Sequence, residues 1–141
     1  MSSYISESLR TRIKESDRHR CCYCLTSEIN SGIPMTYDHI YPRSKSGETS
    51  FENVGLACQS CNEFKGNIIE AIDPLTGETV ALFNPRQQEW SNHFQWSSDG
   101  TQIEGITAIG RATVTALRTN NSVIVATRRR WVAVGWHPPV D

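Results

Sequence analysis

Two C-x-x-C pairs carry the most specific chemistry in this chain: Cys21-Cys22-Tyr23-Cys24 holds the first and Cys58-Gln59-Ser60-Cys61 the second. Each pair spans a tight turn that aims two thiolates at one point. Two such pairs in one short chain are the pattern of a tetrahedral zinc site with Cys21, Cys24, Cys58 and Cys61 as ligands. A redox dithiol or unrelated buried thiols would not account for two matched pairs. Cys22 is then spare and reads as a packing residue, and His19, beside the first turn, is not needed as a ligand. Structural zinc binding is worth roughly 10 to 16 kcal/mol, more than the whole stability of a small domain. The N-terminal half is therefore expected to depend on the ion for its fold.

Between the cysteine pairs lie Asp38-His39-Ile40-Tyr41-Pro42 and Asn53, and the second pair runs into Cys61-Asn62-Glu63-Phe64-Lys65-Gly66. Over RHRCCYC (18–24), YDHIYPRSKSGETSFEN (37–53) and VGLACQSCNEFKGN (54–67) the chain resembles the HNH endonucleases, the zinc-bearing ββα-metal or His-Me finger nucleases. Ser46-Gly47 departs from the Gly-Gly often found there, which bears on loop flexibility more than on chemistry. The resemblance implies hydrolysis of DNA phosphodiester bonds that leaves 5′-phosphate and 3′-hydroxyl ends. It also implies His39 as general base, Asp38 and Asn62 as ligands of a catalytic Mg²⁺ or Mn²⁺, and Asn53 as the brace of the loop that orients the base.

The same residues make sense chemically. Phosphodiester hydrolysis needs an activated water, neutralisation of charge on the phosphoryl oxygens and stabilisation of the departing oxygen. Asp38 and Asn62 offer hard oxygen donors suited to Mg²⁺ or Mn²⁺, too few to sequester the ion without substrate phosphate. An unperturbed imidazole, with a pKa of about 6.5, makes His39 a natural base near neutral pH. Lys65, three residues beyond Asn62, and Arg43 and Lys45 in the loop after the strand are candidate phosphate contacts. One geometric tension accompanies this reading: neighbouring strand residues point to opposite faces, so Asp38 and His39 converge on one site only if the strand ends or bends there, and Pro42 is the residue to bend it.

The elements that must position these residues can be read coarsely. Ile5, Leu9 and Ile13 at i, i+4 spacing predict an amphipathic helix over 5–16, capped by Ser3 or Ser6. Met35–Ile40 and Val54–Ala57 read as two strands around the loop 41–52, and a helix starts near Ser60 and ends near Gly66 or Ile69. After Ile72 the pattern changes: a turn cluster at 73–77, a break at FNPR (83–86), a hairpin of 94–96 with 102–106, and helices over 108–117 and 121–131, although Val123-Ile124-Val125 reads equally well as strand. Trp90, Phe94, Trp96, Trp131 and Trp136 are expected to form a small core there, with His93 and His137 structural. Arg128-Arg129-Arg130 reads as a solvated helix face, with a DNA contact as the minority reading. LFNPRQQEW (82–90) with HFQW (93–96) resembles tails of small stand-alone HNH proteins, a weaker match with no activity attached.

The 141 residues carry 14 Lys+Arg, 15 Asp+Glu and a net charge of −1, with 38% hydrophobic residues. That composition supports a modest globular core and excludes a bulk electrostatic binder of nucleic acid. Four thiolates with one Zn²⁺ add −2 and a catalytic divalent ion adds +2, so attraction for phosphate must come from a local field around the ion, Lys65, Arg43 and Lys45. The absence of a long apolar run and of an apolar N-terminal stretch predicts a cytoplasmic protein without a membrane segment. The expected fold is α+β: a ββα-metal core with a structural four-cysteine zinc site over 1–70, and a hairpin-plus-helices extension over 71–141 that packs on it. The expected function is a divalent-metal-dependent HNH endonuclease acting on DNA. The alternatives are a nuclease subunit targeted by a protein partner and a non-catalytic zinc-stapled DNA-binding module; the oligomeric state stays open.

Overall fold

The computed structural model describes residues 4–140. The chain divides into two compact units, the first running to Ile69 and including Asn84–Gln87, the second formed by Glu70–Phe83 and the residues from Gln88 onward. The architecture is mixed α+β.

In the first unit, helix α1 (Glu7–Ser16) starts where Ser6 turns its hydroxyl back to accept from the Leu9 N–H, satisfying one of the donors a helix start leaves open. Ile13 is fully buried on its inner face. A single-turn helix α2 (Glu28–Ser31), which the sequence pattern did not suggest, is capped by Ser27 and stopped by Gly32. Strands β1 (Thr36–His39) and β2 (Val54–Ala57) pair antiparallel, with His39 opposite Val54 and Asp38 opposite Gly55. Every residue of β2 is buried, as expected of a short apolar strand covered on both faces. Helix α3 (Gln59–Lys65) follows β2 directly, packs against β1 and ends at Gly66.

One residue of the segment 84–87 stabilises this unit from far along the sequence. Arg86 donates to both carboxylate oxygens of Asp17 at 2.7 and 3.1 Å, and to the carbonyls of Phe51 and Val54. Its guanidinium lies 4.2 Å from the Phe51 ring centroid, and that of Arg12 lies 3.9 Å from it. Asp17 also accepts from the Leu56 N–H, so this network ties the end of α1 to β2.

The second unit begins with the hairpin β3 (Glu70–Ile72) and β4 (Thr79–Ala81), joined through the turn cluster seen in the sequence. Asp73, fully buried, accepts from the Leu75 N–H and the Thr76 hydroxyl and takes a two-pronged bond from Arg111, with 2.9 Å on each prong. A second hairpin pairs β5 (Phe94–Trp96) with β6 (Ile103–Gly105). Helices α4 (Ala108–Leu117) and α5 (Ser122–Ala133) follow, as the sequence pattern expected. A Cβ at Gly110 would lie 2.0 Å from the His93 carbonyl oxygen, so only glycine lets α4 approach the β5–β6 hairpin this closely.

The core of the second unit holds Phe83, Phe94, Ile103, Leu117 and Trp131, with Phe83 and Phe94 edge to face at 5.1 Å. Trp136 does not join it; 61% of its surface is exposed. Arg128 corrects a sequence reading: it is neither on a solvated face nor free to touch DNA, because the helix turns it into the interior. There it donates to the Thr101 carbonyl at 3.0 Å and lies over Trp96.

Candidate active site and zinc centre

The four cysteine sulfurs of Cys21, Cys24, Cys58 and Cys61 lie within 4.8 Å of one another, and Cys24 Sγ and Cys58 Sγ are 3.7 Å apart. Both pairs form the same turn: the Cys24 N–H points to Cys21 Sγ at 3.5 Å, and the Cys61 N–H to Cys58 Sγ at 3.4 Å. Cys58 is the cap of α3 and Cys61 lies in its first turn, so the helix start is part of the cluster. Bonds from the other three sulfurs and from Thr26 hold the Cys24 thiol well below its ordinary value. Burial first of all pushes Cys21 well up, and bonding to the other sulfurs raises Cys61. A divalent cation bound among these sulfurs would draw off the thiol protons. The donor set, spacing and burial fit a tetrahedral zinc ion.

The zinc turn also reaches the strand. Tyr23, between the cysteines, is buried and donates its hydroxyl to Asp38 Oδ2 at 2.6 Å. Burial and the neighbouring acidic groups push the Tyr23 hydroxyl up, so it stays a donor. On the other side of Asp38, Lys65 Nζ lies 3.2 Å from both carboxylate oxygens and donates to the His39 carbonyl, also at 3.2 Å. Burial pushes the Asp38 carboxyl up, against the opposing pull of Lys65 and Tyr23.

Two expectations are corrected here. Lys65 is not a surface phosphate contact; at 1% exposure it is the buried countercharge of Asp38. Asp38, 4% exposed and already bound by an ammonium and a phenol, offers no open position to a catalytic ion. Asn62 faces the same side of β1, where its amide donates to Thr36 Oγ1 at 2.9 Å, and Thr36 in turn donates to the Ala57 carbonyl. Asp38 and Asn62 as arranged therefore do not fit a Mg²⁺ or Mn²⁺ ion. Among the described residues, the four cysteines are the one group of three or more His, Cys, Asp or Glu side chains placed to share a metal.

His39, the last residue of β1, takes the other direction, as strand alternation requires. The strand does end there, but the two neighbouring side chains keep separate partners. The imidazole is half-buried, and its Nε2 lies 2.9 Å from Thr49 Oγ1. Burial is the main cause holding its pKa below the ordinary value, helped by the charges of Arg43 and Lys65 and opposed by Asp38. A ring kept neutral can accept a proton near pH 7.

The loop opposite His39 is clamped by Asn53. Its side-chain amide donates to the carbonyls of Tyr41 at 3.0 Å and Glu48 at 2.8 Å, and its side-chain oxygen accepts from the Tyr41 N–H at 2.9 Å. Asn53 thus joins both ends of the loop 41–48. Gly47 packs so tightly inside it that a Cβ would lie 1.8 Å from the Tyr41 carbonyl oxygen. Arg43 and Lys45 form a short 3₁₀ turn in this loop, Lys45 exposed and Arg43 half-buried. Sequence reasoning did not single out Tyr23, Thr36 or Thr49, because a lone hydroxyl in a loop or knuckle has no spacing signature.

No curated protein and no solved structure matches the chain. The segment that holds the cysteine cluster, β1, the Asn53-clamped loop, β2 and α3 does match a family model: residues 21–67 are similar to that of the HNH endonucleases.

Proposed function

We propose that the protein is an HNH endonuclease that hydrolyses phosphodiester bonds of DNA, with His39 as general base and a structural zinc ion on Cys21, Cys24, Cys58 and Cys61. The observation that carries the reading is the His39 imidazole. It stands half-buried at the end of β1, inside the segment matched to the family, with its pKa lowered so that the neutral form prevails near pH 7. Asn53 positions the base through the loop it clamps, and Arg43 and Lys45 in that loop supply positive charge for a substrate phosphate. A requirement for Mg²⁺ or Mn²⁺ follows from the family resemblance. Asp38 and Asn62 as folded do not support it, so the steps assigned here belong to the protein's own side chains. The region up to residue 70 is read as the nuclease core and the later residues as an extension.

A plasmid-nicking assay with Mg²⁺, Mn²⁺ or EDTA tests this. Loss of a general base lowers a rate by roughly 10² to 10⁴, and His39→Ala is expected to show that loss while retaining DNA binding. Equal nicking by both proteins sinks the assignment of His39.

A second reading is favoured by the closed pairing of Asp38 with Lys65 and Tyr23: a zinc-stapled DNA-binding module without catalysis. It predicts a retarded band with DNA and no nicking under any metal condition.

A further inference from the structure

An imidazole acts as a base through one nitrogen only, and the hydrogen bond at the other nitrogen decides which one that is. In this protein Nε2 of His39 is 2.9 Å from the Thr49 hydroxyl oxygen, and among the described residues Nδ1 has no hydrogen-bond partner. Thr49 is held in place independently of that contact. The residue before it, Glu48, gives its carbonyl to the Asn53 amide, and the Asn53 N–H donates to Ser50 just after it. The loop is further closed by the Gly47 N–H donating to the Pro42 carbonyl at 2.9 Å. The backbone on both sides of Thr49 is thus anchored by Asn53, and the side chain has only its hydroxyl to contribute to His39.

We infer that Thr49 is a positioning residue: its hydroxyl oxygen accepts the Nε2 proton of His39, fixing the tautomer in which Nδ1 carries the free lone pair aimed at the attacking water. The inference rests on the reading of His39 as base. If the Thr49 hydroxyl instead donated to Nε2, the ring proton would sit on Nδ1 and neither nitrogen would be free to take one from water. In the step assigned here, an O–H bond of water breaks and its proton goes to Nδ1, giving an imidazolium. The water oxygen's electron pair forms the new P–O bond. The pair of the P–O3′ bond leaves with the 3′ oxygen, which is protonated from solvent. Asn53 acts one step further out, by holding Thr49 against the ring.

Two readouts separate this role from a merely structural one. Nitrogen-15 NMR of the labelled protein, at a pH where the ring is neutral and with the His39→Gln spectrum used for assignment, reports which ring nitrogen carries the proton. The wild type and Thr49→Ser are expected to show Nε2 protonated, whereas the near-isosteric Thr49→Val shows a tautomer mixture at an unchanged melting temperature. Misplacement of a reacting group costs up to about 100-fold in rate, and Thr49→Val is expected to nick plasmid about 10- to 100-fold more slowly, with Thr49→Ser restoring most of the loss. Nδ1 protonated in the wild type overturns the inference whatever the nicking rate, as does a Thr49→Val protein that keeps both tautomer and rate. A wild type with Nε2 protonated that nicks no DNA overturns the nuclease reading and with it the catalytic use of Thr49, while the hydrogen bond itself stands.

Discussion

The ammonium of Lys65 sits 3.2 Å from each carboxylate oxygen of Asp38, and neither side chain is more than 4% exposed. Two buried charges that neutralise each other are costly to separate, and removing one partner of such a pair typically destabilises by about 3 to 5 kcal/mol. Lys65→Met is expected to lose stability on that scale in urea unfolding. The Asp38→Asn, Lys65→Met double variant should recover part of it, since no uncompensated charge is left inside. A Lys65→Met protein of unchanged stability but weakened DNA affinity would restore the phosphate-contact role.

Tyr23 makes the zinc turn a neighbour of the same pair, through its 2.6 Å bond to Asp38. Removal of zinc by a chelator, or Cys58→Ser, is therefore expected to abolish the near-ultraviolet circular dichroism of Tyr23 and with it any nicking. Elemental analysis should return about one zinc per chain, as a four-cysteine site requires. Because the thiols must lose protons to bind the ion, zinc titration in weak buffer is expected to acidify the solution.

If His39 is the base, as proposed, its depressed pKa gives nicking a definite acid limb. A base must be neutral to work, so nicking should be fully developed at pH 7. It should fall only as the pH drops through a value below the ordinary imidazole pKa of about 6.5. Arg43 is one cause of the depression, and Arg43→Gln is expected to move the limb toward higher pH in a pH-rate profile. A limb at or above the ordinary value in the wild type would contradict the burial that lowers it.

Ser46 occupies the left-handed region, with φ 69° and ψ 24°. A left-handed L-residue is strained by roughly 1 to 2 kcal/mol, against which glycine carries an added unfolded-state entropy of about 0.5 to 1 kcal/mol. Ser46→Gly is expected to stabilise by about 0.5 to 1 kcal/mol in thermal or urea unfolding. The neighbouring Gly47→Ala should do the opposite and loosen the loop, because its Cβ meets the Tyr41 carbonyl oxygen at 1.8 Å. If both substitutions leave stability and nicking unchanged, the loop is not the compact clamp described here.

Local pattern carries a good part of this protein. The paired C-x-x-C turns, the helix behind Ser6, the strands either side of the loop, the hairpin of 94–96 with 102–106 and helix α4 are legible because they rest on spacing, capping and turn residues close along the chain, whereas α5 competes with a strand reading of its Val123-Ile124-Val125 run. The resemblance over 18–67 likewise needs only linear order. What local pattern cannot report is the partner a charged side chain finds across the fold. Lys65 and Arg128 read as surface cations, yet packing turns both inward, Lys65 against Asp38 and Arg128 onto the Thr101 carbonyl and Trp96. Arg86, in a segment that reads only as a break, pairs with Asp17 at a separation of 69 residues. The hydroxyls of Tyr23 and Thr49 likewise find Asp38 and His39 only once the strands are paired. The sequence by itself thus determined the four-cysteine cluster and singled out His39 as the proposed base. Tertiary structure decided which charges are neutralised inside and which nitrogen of His39 is free, because burial and hydrogen-bond geometry arise from contacts between residues distant along the chain.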